Sequence, residues 1–311
     1  MLLHVNVKGG TNICIMLRSQ QKEKMEKGIF MIDSVRITLL SNMLNSYQIY
    51  RQGTLSRFVM EDGIHYIQKD VIKLNILVAC EESQRVCIEF RKLGHKAFSC
   101  DIEPCSGGHP EWHIQDNVLP LINGRCNFKT MNGEMHHLSD KWDMIIAFPP
   151  CTYLTNAGGR HFSKKWNTQE KIDKRLKLRK DAAVFFMIIA NANCNKIAIE
   201  NPAGYMNTHF RKPDQIIHPY YFTKNVDDVE NYQMKRTCLW LKGLPILKKV
   251  SNLPKPLPNY YNIDKNGKKK NRYWCESMCA KGGQKERAKA RSKTFPGVAK
   301  AMSEQWGGKL N

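Results

Sequence analysis

The chain has 311 residues, of which 42% are hydrophobic, and its formal net charge at pH 7 is +21. A chain of this length and composition can bury a large core, which excludes a wholly disordered protein. No run approaches the roughly 20 apolar residues of a membrane-spanning helix, and the N-terminus lacks the apolar core of a signal peptide. The 11 cysteines are scattered along the chain, which favours reduced thiols. We therefore expect a cytoplasmic protein without a membrane segment.

The first 72 residues show mixed short patterns that indicate no chemistry. Within them, the segment IFMIDSVRITLL is compatible with either a strand or a helix. We interpret residues 1–72 as an N-terminal extension and assign no function to it.

From Lys73 onward, short apolar runs typical of buried strands alternate with helical patterns. The strand predictions are Leu74–Cys80, His95–Asp101, Trp142–Phe148 and Lys196–Glu200, and the helix predictions are Glu82–Gly94 and Arg175–Ala190. The pair Asn132-Gly133, within Cys126–Leu138, predicts a β-hairpin insertion. Strand–helix alternation predicts an α/β protein with a Rossmann-like, doubly wound and mostly parallel sheet.

Two predicted strands end in side chains suited to chemistry. Cys151 follows the pair Pro149-Pro150, which cannot continue a strand or a helix, so we expect Cys151 on a stiff loop facing a cleft. The other strand ends in Glu200 and Asn201. Open α/β sheets place their sites where such strands end. A thiol and a carboxyl group at neighbouring strand ends can perform covalent attack on a heterocyclic ring.

The turn after the predicted strand Leu74–Cys80 is the predicted cofactor site. In Rossmann-type sheets an acid at the end of the next strand binds ribose hydroxyls, and Asp101 occupies that position, with Asp116 as a further candidate. The turn lacks the glycines that approach a pyrophosphate, which favours a cofactor without phosphates, such as S-adenosylmethionine. The candidate cofactor-binding residues are Ala79, Cys80, Glu81, Ser83, Asp101, Asp116 and Pro149.

Much of the positive charge lies in one region near the C-terminus. From Lys242 to Lys300 there are 16 lysines and arginines and 3 aspartates and glutamates, a net charge of +13. Tyrosines and a tryptophan interleave with these charges, as on surfaces that stack bases. A solvated basic tail is the alternative interpretation, and Cys275 and Cys279 do not form a convincing zinc site. The candidate DNA-contacting residues are Lys268, Lys269, Lys270 and Arg272.

Several of these segments resemble the cytosine-5 DNA methyltransferases, and closely the short phage-type proteins of that family. Pro150-Cys151 is similar to the loop that carries the family's nucleophile, and Glu200-Asn201 to its Glu-Asn dipeptide. Gln233–Thr237 looks like the Gln-x-Arg-x-Arg element, and Thr294–Gly308 resembles the last motif. The segments that together match the phage-type pattern are Leu74–Asp101, Asp143–Thr155, Ile197–Phe222, Arg236–Pro245 and Arg291–Gly307. The first motif departs from the family, because Ala79–Ser83 stands in place of Phe-x-Gly-x-Gly.

The resemblance implies an S-adenosylmethionine-dependent methyltransferase of class I that acts on carbon 5 of cytosine in DNA. It further implies a covalent adduct at Cys151, a hydrogen bond or proton from Glu200 to ring nitrogen 3, and positive potential from Arg236 near the active site. Asn201 would hold the loop or the exocyclic amine. We expect a monomer in a bacterial or phage-infected cell, with a catalytic domain over residues 73–241 and 294–311. Residues 242–293 would form a small basic recognition segment.

Three alternatives stay open. An exocyclic-amine methyltransferase would carry Asp or Asn before the two prolines and an aromatic residue after them, whereas this chain has Phe148 and Cys151 there. A second alternative is a nucleic-acid-binding protein on the same scaffold without catalysis. A third keeps the chemistry but takes free nucleotides as substrate.

Overall fold

The structure is a computed structural model, and the chain divides into two compact units, Met1–Lys73 with Leu310–Asn311, and Leu74–Lys309. Before residue 73 it describes the strands of the first unit. From there it describes residues 73–264, 266–273, 283 and 289–308. Within these described residues, no helix combines the length and the apolar character needed to cross a membrane.

The described residues of the first unit before Lys73 form β-strands. Five strands form one sheet in the order β2-β1-β7-β6-β5, and β3 pairs with β4 in a separate hairpin. The strands are β1 (Leu2–Val7), β2 (Thr11–Met16), β3 (Ile29–Ile32), β4 (Val35–Thr38), β5 (Ser46–Arg51), β6 (Thr54–Glu61) and β7 (Ile64–Val71). The segment IFMIDSVRITLL, for which the sequence left strand and helix open, therefore forms the β3–β4 hairpin.

The second unit is built on a seven-stranded sheet in the order β10-β9-β8-β13-β14-β16-β15. Its strands are β8 (Asn75–Ala79), β9 (Lys96–Asp101), β10 (His113–Gln115), β13 (Met144–Ala147), β14 (Ile197–Pro202), β15 (Gln215–Ile217) and β16 (Thr237–Lys242). The strands from β10 to β14 pair in parallel, and β16 runs antiparallel to both of its neighbours. The predicted α/β class with a mostly parallel sheet is confirmed.

Helices and short turns connect these strands. Helices of the described residues include α1 (Arg85–Lys92), α2 (Gln169–Ala190), α3 (Met206–His209) and α4 (Pro296–Met302). Phe186 and Ile189 of α2 pack in one cluster with Leu77 and Ile145 of the sheet. Their strand neighbours, such as Ile76, point to the opposite face and are equally buried, so both faces of the sheet are covered.

Two helices begin elsewhere than the sequence indicated. Helix α1 begins at Arg85 rather than Glu82, because Gln84 adopts a left-handed conformation with φ of 58° and cannot continue a helix backward. Helix α2 begins at Gln169, six residues before the predicted Arg175, where the Thr168 hydroxyl caps the first turn.

Two hairpins project from the second unit. The predicted one is confirmed as β11 (Cys126–Lys129) and β12 (Met135–Leu138), with Gly133 at a φ of 95° in the turn. The other, β17 (Tyr260–Ile263) and β18 (Lys269–Arg272), was not predicted from the sequence. It lies in the basic segment, and its strands are too polar to give an alternating pattern.

Candidate active site

The two predicted strand tips meet at one edge of the sheet. Strands β13 and β14 are parallel neighbours, with Ala147 opposite Ile199. Their carboxyl ends therefore lie side by side, and the loop that carries Cys151 follows directly beside Glu200 and Asn201. The structure brings together the three residues that the sequence singled out.

Asn201 joins the two tips directly. Its side-chain Nδ2 donates a hydrogen bond of 2.9 Å to the backbone carbonyl oxygen of Pro149. The residue is only 1% exposed, and its Oδ1 has no hydrogen-bond partner among the described residues. A buried polar atom left in this state is costly, so Oδ1 is available to a ligand donor.

A close backbone crossing fixes the loop after Cys151. The carbonyl oxygen of Cys151 accepts hydrogen bonds from the amides of Leu154 and Thr155, at 3.0 and 2.9 Å. The amide of Tyr205 donates to the Leu154 carbonyl at 2.7 Å. Any side chain at Gly204 would collide with that carbonyl, so only glycine permits this approach. The thiol of Cys151 is therefore presented by a rigid turn.

Burial and charge act against each other at Cys151 and Glu200. Burial raises the pKa of the Cys151 thiol, and the negative charge of Glu200 raises it further. The positive charges of Lys235 and Arg291 lower the pKa of the same thiol. Burial likewise raises the pKa of Glu200, and Lys235 opposes that shift. The pKa values of Cys151 and Glu200 are thus both shifted by burial and by neighbouring charges, as in sites that transfer protons.

Lys235 is a cation close to Cys151 and Glu200 that the sequence analysis missed. Its ammonium donates a hydrogen bond of 3.2 Å to the carbonyl oxygen of Arg291 and lies 5.7 Å from the Phe295 ring centroid. Arg236, which was predicted near the active site, is exposed, and its charge acts on His218 and on Cys238, which lies opposite Asn201 in the strand register. Counted from Gln233, the Gln-x-Arg-x-Arg spacing falls on positions 235 and 237, so this spacing would have identified Lys235.

A small, open pocket lies beside these groups, and its lining includes Glu200 and Lys235 but not Cys151. Phe148 and Glu200 line it from the strand ends, and Lys235 and Thr237 line it from the start of β16. Its remaining wall comes from the C-terminal segment, which contributes Ser292, Thr294, Phe295, Val298 and Met302, and from Ile217 and Pro219. The lining is therefore mixed, with polar or charged side chains on both walls among the apolar ones.

The turn predicted to hold a cofactor is tightly hydrogen-bonded to the chain itself. The amides of Cys80 and Glu81 both donate to the Cys100 carbonyl, at 2.7 and 3.2 Å. The buried Glu81 carboxyl accepts the amides of Val86 and Cys87, which caps helix α1. Burial raises the pKa of Glu81 to about 8 and also raises the pKa of the Cys80 thiol. Ala79 and Ser83 are buried on either side of this turn, and Pro149 is buried after β13.

The two predicted acids lie at adjacent strand ends. Asp101 ends β9, and one of its oxygens accepts the amide of Glu103 at 3.0 Å. Burial raises the pKa of Asp101. Asp116 follows β10, its amide donates to the Asp101 carbonyl at 3.1 Å, and its side chain is exposed. Both carboxyl groups therefore stand at the edge where the turn after β8 also ends.

Glu82 and Ile102 were missed in this region. Both carboxyl oxygens of Glu82 are buried and have no hydrogen-bond partner within the described part of the chain. Burial raises the pKa of Asp101 and lowers that of His113, and the charge of Glu82 acts on both groups, so Glu82 lies close to both. Ile102 is 74% exposed although it directly follows Asp101. An unpaired carboxyl group and an uncovered apolar side chain side by side suit a ligand with a polar and an apolar part.

The predicted DNA-contacting residues lie on the β17–β18 hairpin. Lys268, Lys269 and Lys270 are exposed, and the Lys269 ammonium lies 3.3 Å from the ring centroid of Tyr261, which is 54% exposed. Arg272 pairs with Tyr260 in the strand register. Trp274, Cys275 and Cys279, which the sequence analysis also discussed, lie outside the described residues.

A scan against protein-family models and a search of curated proteins both find no match to this chain. In the described ranges, no group of three or more His, Cys, Asp or Glu side chains is placed to hold a metal ion. The site is defined by its thiol, its carboxyl groups and its cations.

Proposed function

We propose that this protein transfers a methyl group from S-adenosylmethionine to carbon 5 of cytosine in DNA, through a covalent adduct at Cys151. The observation that carries the proposal is the meeting of Cys151, Glu200 and Lys235 beside one pocket. A thiol, a carboxyl group with a raised pKa and a cation are the groups that attack on a pyrimidine ring requires.

Carbon 5 of cytosine is a weak nucleophile until carbon 6 has been attacked. In the proposed first step, the Cys151 sulfur forms a bond to carbon 6, and the electron pair of the 5,6 double bond moves into the ring. Glu200 donates a proton to nitrogen 3, which neutralises the charge that enters the ring. Burial raises the pKa of Glu200, so its carboxyl group keeps a proton for the ring to higher pH than an exposed glutamate does.

The thiol must lose its proton before it attacks. Lys235 and Arg291 stabilise the thiolate, and protonation of Glu200 removes the negative charge that opposes it. Transfer of the methyl group to carbon 5 releases S-adenosylhomocysteine, and nitrogen 3 returns its proton to Glu200. The carbon-5 proton then leaves to a base, and the electron pair of that bond expels the sulfur from carbon 6. That elimination restores the double bond and the thiolate, so atoms and electrons balance over the cycle.

S-adenosylmethionine supplies the electrophilic methyl group of this reaction. Its fit is supported by Glu82, whose two buried, unpartnered oxygens can face a sulfonium or ammonium cation. In this proposal Asp101, at the end of β9, would accept hydrogen bonds from ribose hydroxyls, and exposed Ile102 would offer an apolar surface to the adenine. The tightly bonded turn Ala79–Ser83 leaves no glycine-rich loop for a pyrophosphate, consistent with a cofactor that has none. The class I methyltransferase form of the fold is part of this proposal.

DNA as substrate is supported by the net charge of +21 and by the basic, tyrosine-bearing hairpin. A base within a duplex must leave the stack before carbon 6 can be reached, which costs a few kcal/mol. Phosphate contacts from lysine and arginine offset such a cost.

The decisive experiment incubates the protein with labelled S-adenosylmethionine and mixed DNA, digests the DNA to nucleosides and identifies the labelled base. We expect label on 5-methylcytosine with the wild-type protein and with Cys105→Ser, and none with Cys151→Ser. Label on an exocyclic amine would support the alternative methyltransferase class. No label, together with no heat of cofactor binding in calorimetry, would support a binding protein without catalysis.

A further inference from the structure

A cluster of aromatic rings lies next to the pocket wall. His218 precedes the short turn Pro219–Phe222, whose first residue lines the pocket. The His218 ring centroid lies 5.9 Å from that of Tyr220 and 5.5 Å from that of Tyr221. Nδ1 of His218 is buried and has no hydrogen-bond partner among the described residues, so a bound group can supply one.

Three cations surround these rings. The Lys249 ammonium lies 3.9 Å from the ring centroid of Tyr221, and the charges of Lys255, Arg236 and Lys249 all act on His218. All three side chains are exposed, and none forms an ion pair with a carboxylate of the described residues. Like charges held near one another repel, so a bound anion would relieve the repulsion.

The fold, and not a run of basic residues, brings the cations together. The amide of Val250, next to Lys249, donates to the Tyr221 carbonyl at 2.9 Å. The hydroxyl of Tyr232 donates to the carbonyl of Pro254, next to Lys255, at 2.9 Å. The amide of Tyr220 donates to the Gln233 carbonyl at 3.3 Å, three residues before Arg236. Residues 232–236 and 249–255 are therefore each tied to the aromatic turn, and the two segments are also tied to each other.

We infer that Arg236, Lys249 and Lys255 form a phosphate-binding site that holds the nucleic-acid backbone beside the base pocket. The site lies next to Pro219, which lines the pocket, so a phosphate there is adjacent to the position of the base. Burial raises the pKa of Tyr220 to about 12, so its phenol keeps its proton and can donate to an anion. The inference rests on the proposed function only for the identity of that base. The phosphate contact itself can form with a nucleic-acid strand of any sequence.

The site is also continuous with the basic hairpin. The Lys255 ammonium lies 5.5 Å from the ring centroid of Tyr273, which directly follows Arg272 at the end of β18. The exposed ring of Tyr261 and its Lys269 partner lie on the same hairpin. A strand bound at the cluster can therefore extend onto the hairpin, where lysines and stacked bases would add further contacts.

The test measures the affinity of oligothymidylate by fluorescence anisotropy over a range of salt concentrations. For single strands, log affinity falls with log salt by about 0.7 per phosphate contact. Arg236→Gln, Lys249→Gln and Lys255→Gln should each reduce the slope by about that amount, and Lys249→Arg should retain the wild-type slope. Lys96→Gln is the matched control. Lys96 is an exposed lysine that begins β9, so it lies at the opposite end of that strand from Asp101.

Unchanged slopes for all three neutral variants, with binding retained, would overturn the inference. So would an equal loss of slope in Lys96→Gln, because it would indicate only a diffuse charge effect. Oligothymidylate contains no cytosine, so the result is independent of methyl transfer. If the labelling experiment gave no labelled 5-methylcytosine while the neutral variants showed a reduced salt slope, the proposed function would be rejected and the phosphate site retained.

Discussion

The side-chain amide of Asn201 donates a hydrogen bond of 2.9 Å to the backbone carbonyl of Pro149, which ties the loop of Cys151 to the end of the neighbouring strand. The bond is buried, so water does not replace it easily. It makes the position of the thiol relative to Glu200 a property of the sheet and not of a mobile loop. Four predictions on the site, and one on the adduct, depend on this arrangement.

Asn201→Ala should release the loop of Cys151. Removal of the amide leaves the Pro149 carbonyl without its buried donor, which costs about 1–3 kcal/mol of unfolding free energy. The measurement is urea unfolding, combined with the rate of methyl transfer at a concentration of urea where the variant remains folded. Asn127→Ala is the control, because the Asn127 side chain makes an exposed hydrogen bond, to His137. Equal stability and equal rate in Asn201→Ala would show that the bond does not position the loop.

Lys235→Met should make Cys151 a weaker acid. Lys235 lowers the pKa of the thiol, so removal of its charge raises that pKa, and the thiolate forms only at higher pH. The measurement is the pH dependence of iodoacetamide alkylation at Cys151, followed by mass spectrometry. The profile should shift to higher pH in Lys235→Met and stay in place in Arg236→Gln. A shift in Arg236→Gln alone would restore Arg236 to the position near the active site that the sequence indicated.

Glu200→Gln should change alkylation and methylation in opposite directions. The charge of Glu200 raises the pKa of Cys151, so its removal lowers that pKa and should speed alkylation at a fixed pH. Methyl transfer should fall by about 10²–10⁴, the range for loss of a general acid, with DNA affinity nearly intact. Loss of both reactions together with loss of the circular dichroism signal would assign Glu200 a structural role.

Glu82→Gln should weaken S-adenosylmethionine more than S-adenosylhomocysteine. The first ligand carries a sulfonium cation that the second lacks, and Glu82 has no other partner in the described structure for its buried oxygens. We expect a loss of about tenfold or more for S-adenosylmethionine, which corresponds to a hydrogen bond with a charged group. Asp101→Ala should weaken both ligands, and Glu103→Gln, an exposed acid nearby, neither.

Calorimetry measures these affinities directly. An equal loss of affinity for both ligands in Glu82→Gln would show that Glu82 does not contact the sulfonium cation. Unchanged affinity in Asp101→Ala would make Asp116 the next candidate for binding the ribose.

The sequence was informative where local pattern determines structure. Apolar runs of five to seven residues identified the central strands β8, β9, β13 and β14, because a strand buried on both faces is apolar throughout. Cys151 and Glu200 were selected as candidate site residues for the same reason. Cys151 comes shortly after one such apolar run, and Glu200 ends another. The pair Asn132-Gly133 identified its hairpin through turn chemistry.

The sequence was less informative where tertiary contacts determine the outcome. Helix α1 begins late because Gln84 is held in a left-handed conformation, which no local pattern indicates. The position of Lys235 depends on which face of an irregular segment turns toward the pocket. Glu82 is unusual only because its buried carboxyl oxygens have no hydrogen-bond partner among the described residues. The aromatic cluster around His218 is assembled from three distant segments.

The most direct test of the central claim uses DNA that contains 5-fluorocytosine. Its carbon-5 fluorine cannot leave as a proton does, so a methylated adduct stays bound to the enzyme. With S-adenosylmethionine present, the account predicts a covalent protein–DNA complex whose only attachment point, located by peptide mass spectrometry, is Cys151. Cys105→Ser should form the complex, and Cys151→Ser should not. A complex of equal yield with Cys151→Ser, or an attachment at another residue, would contradict the account.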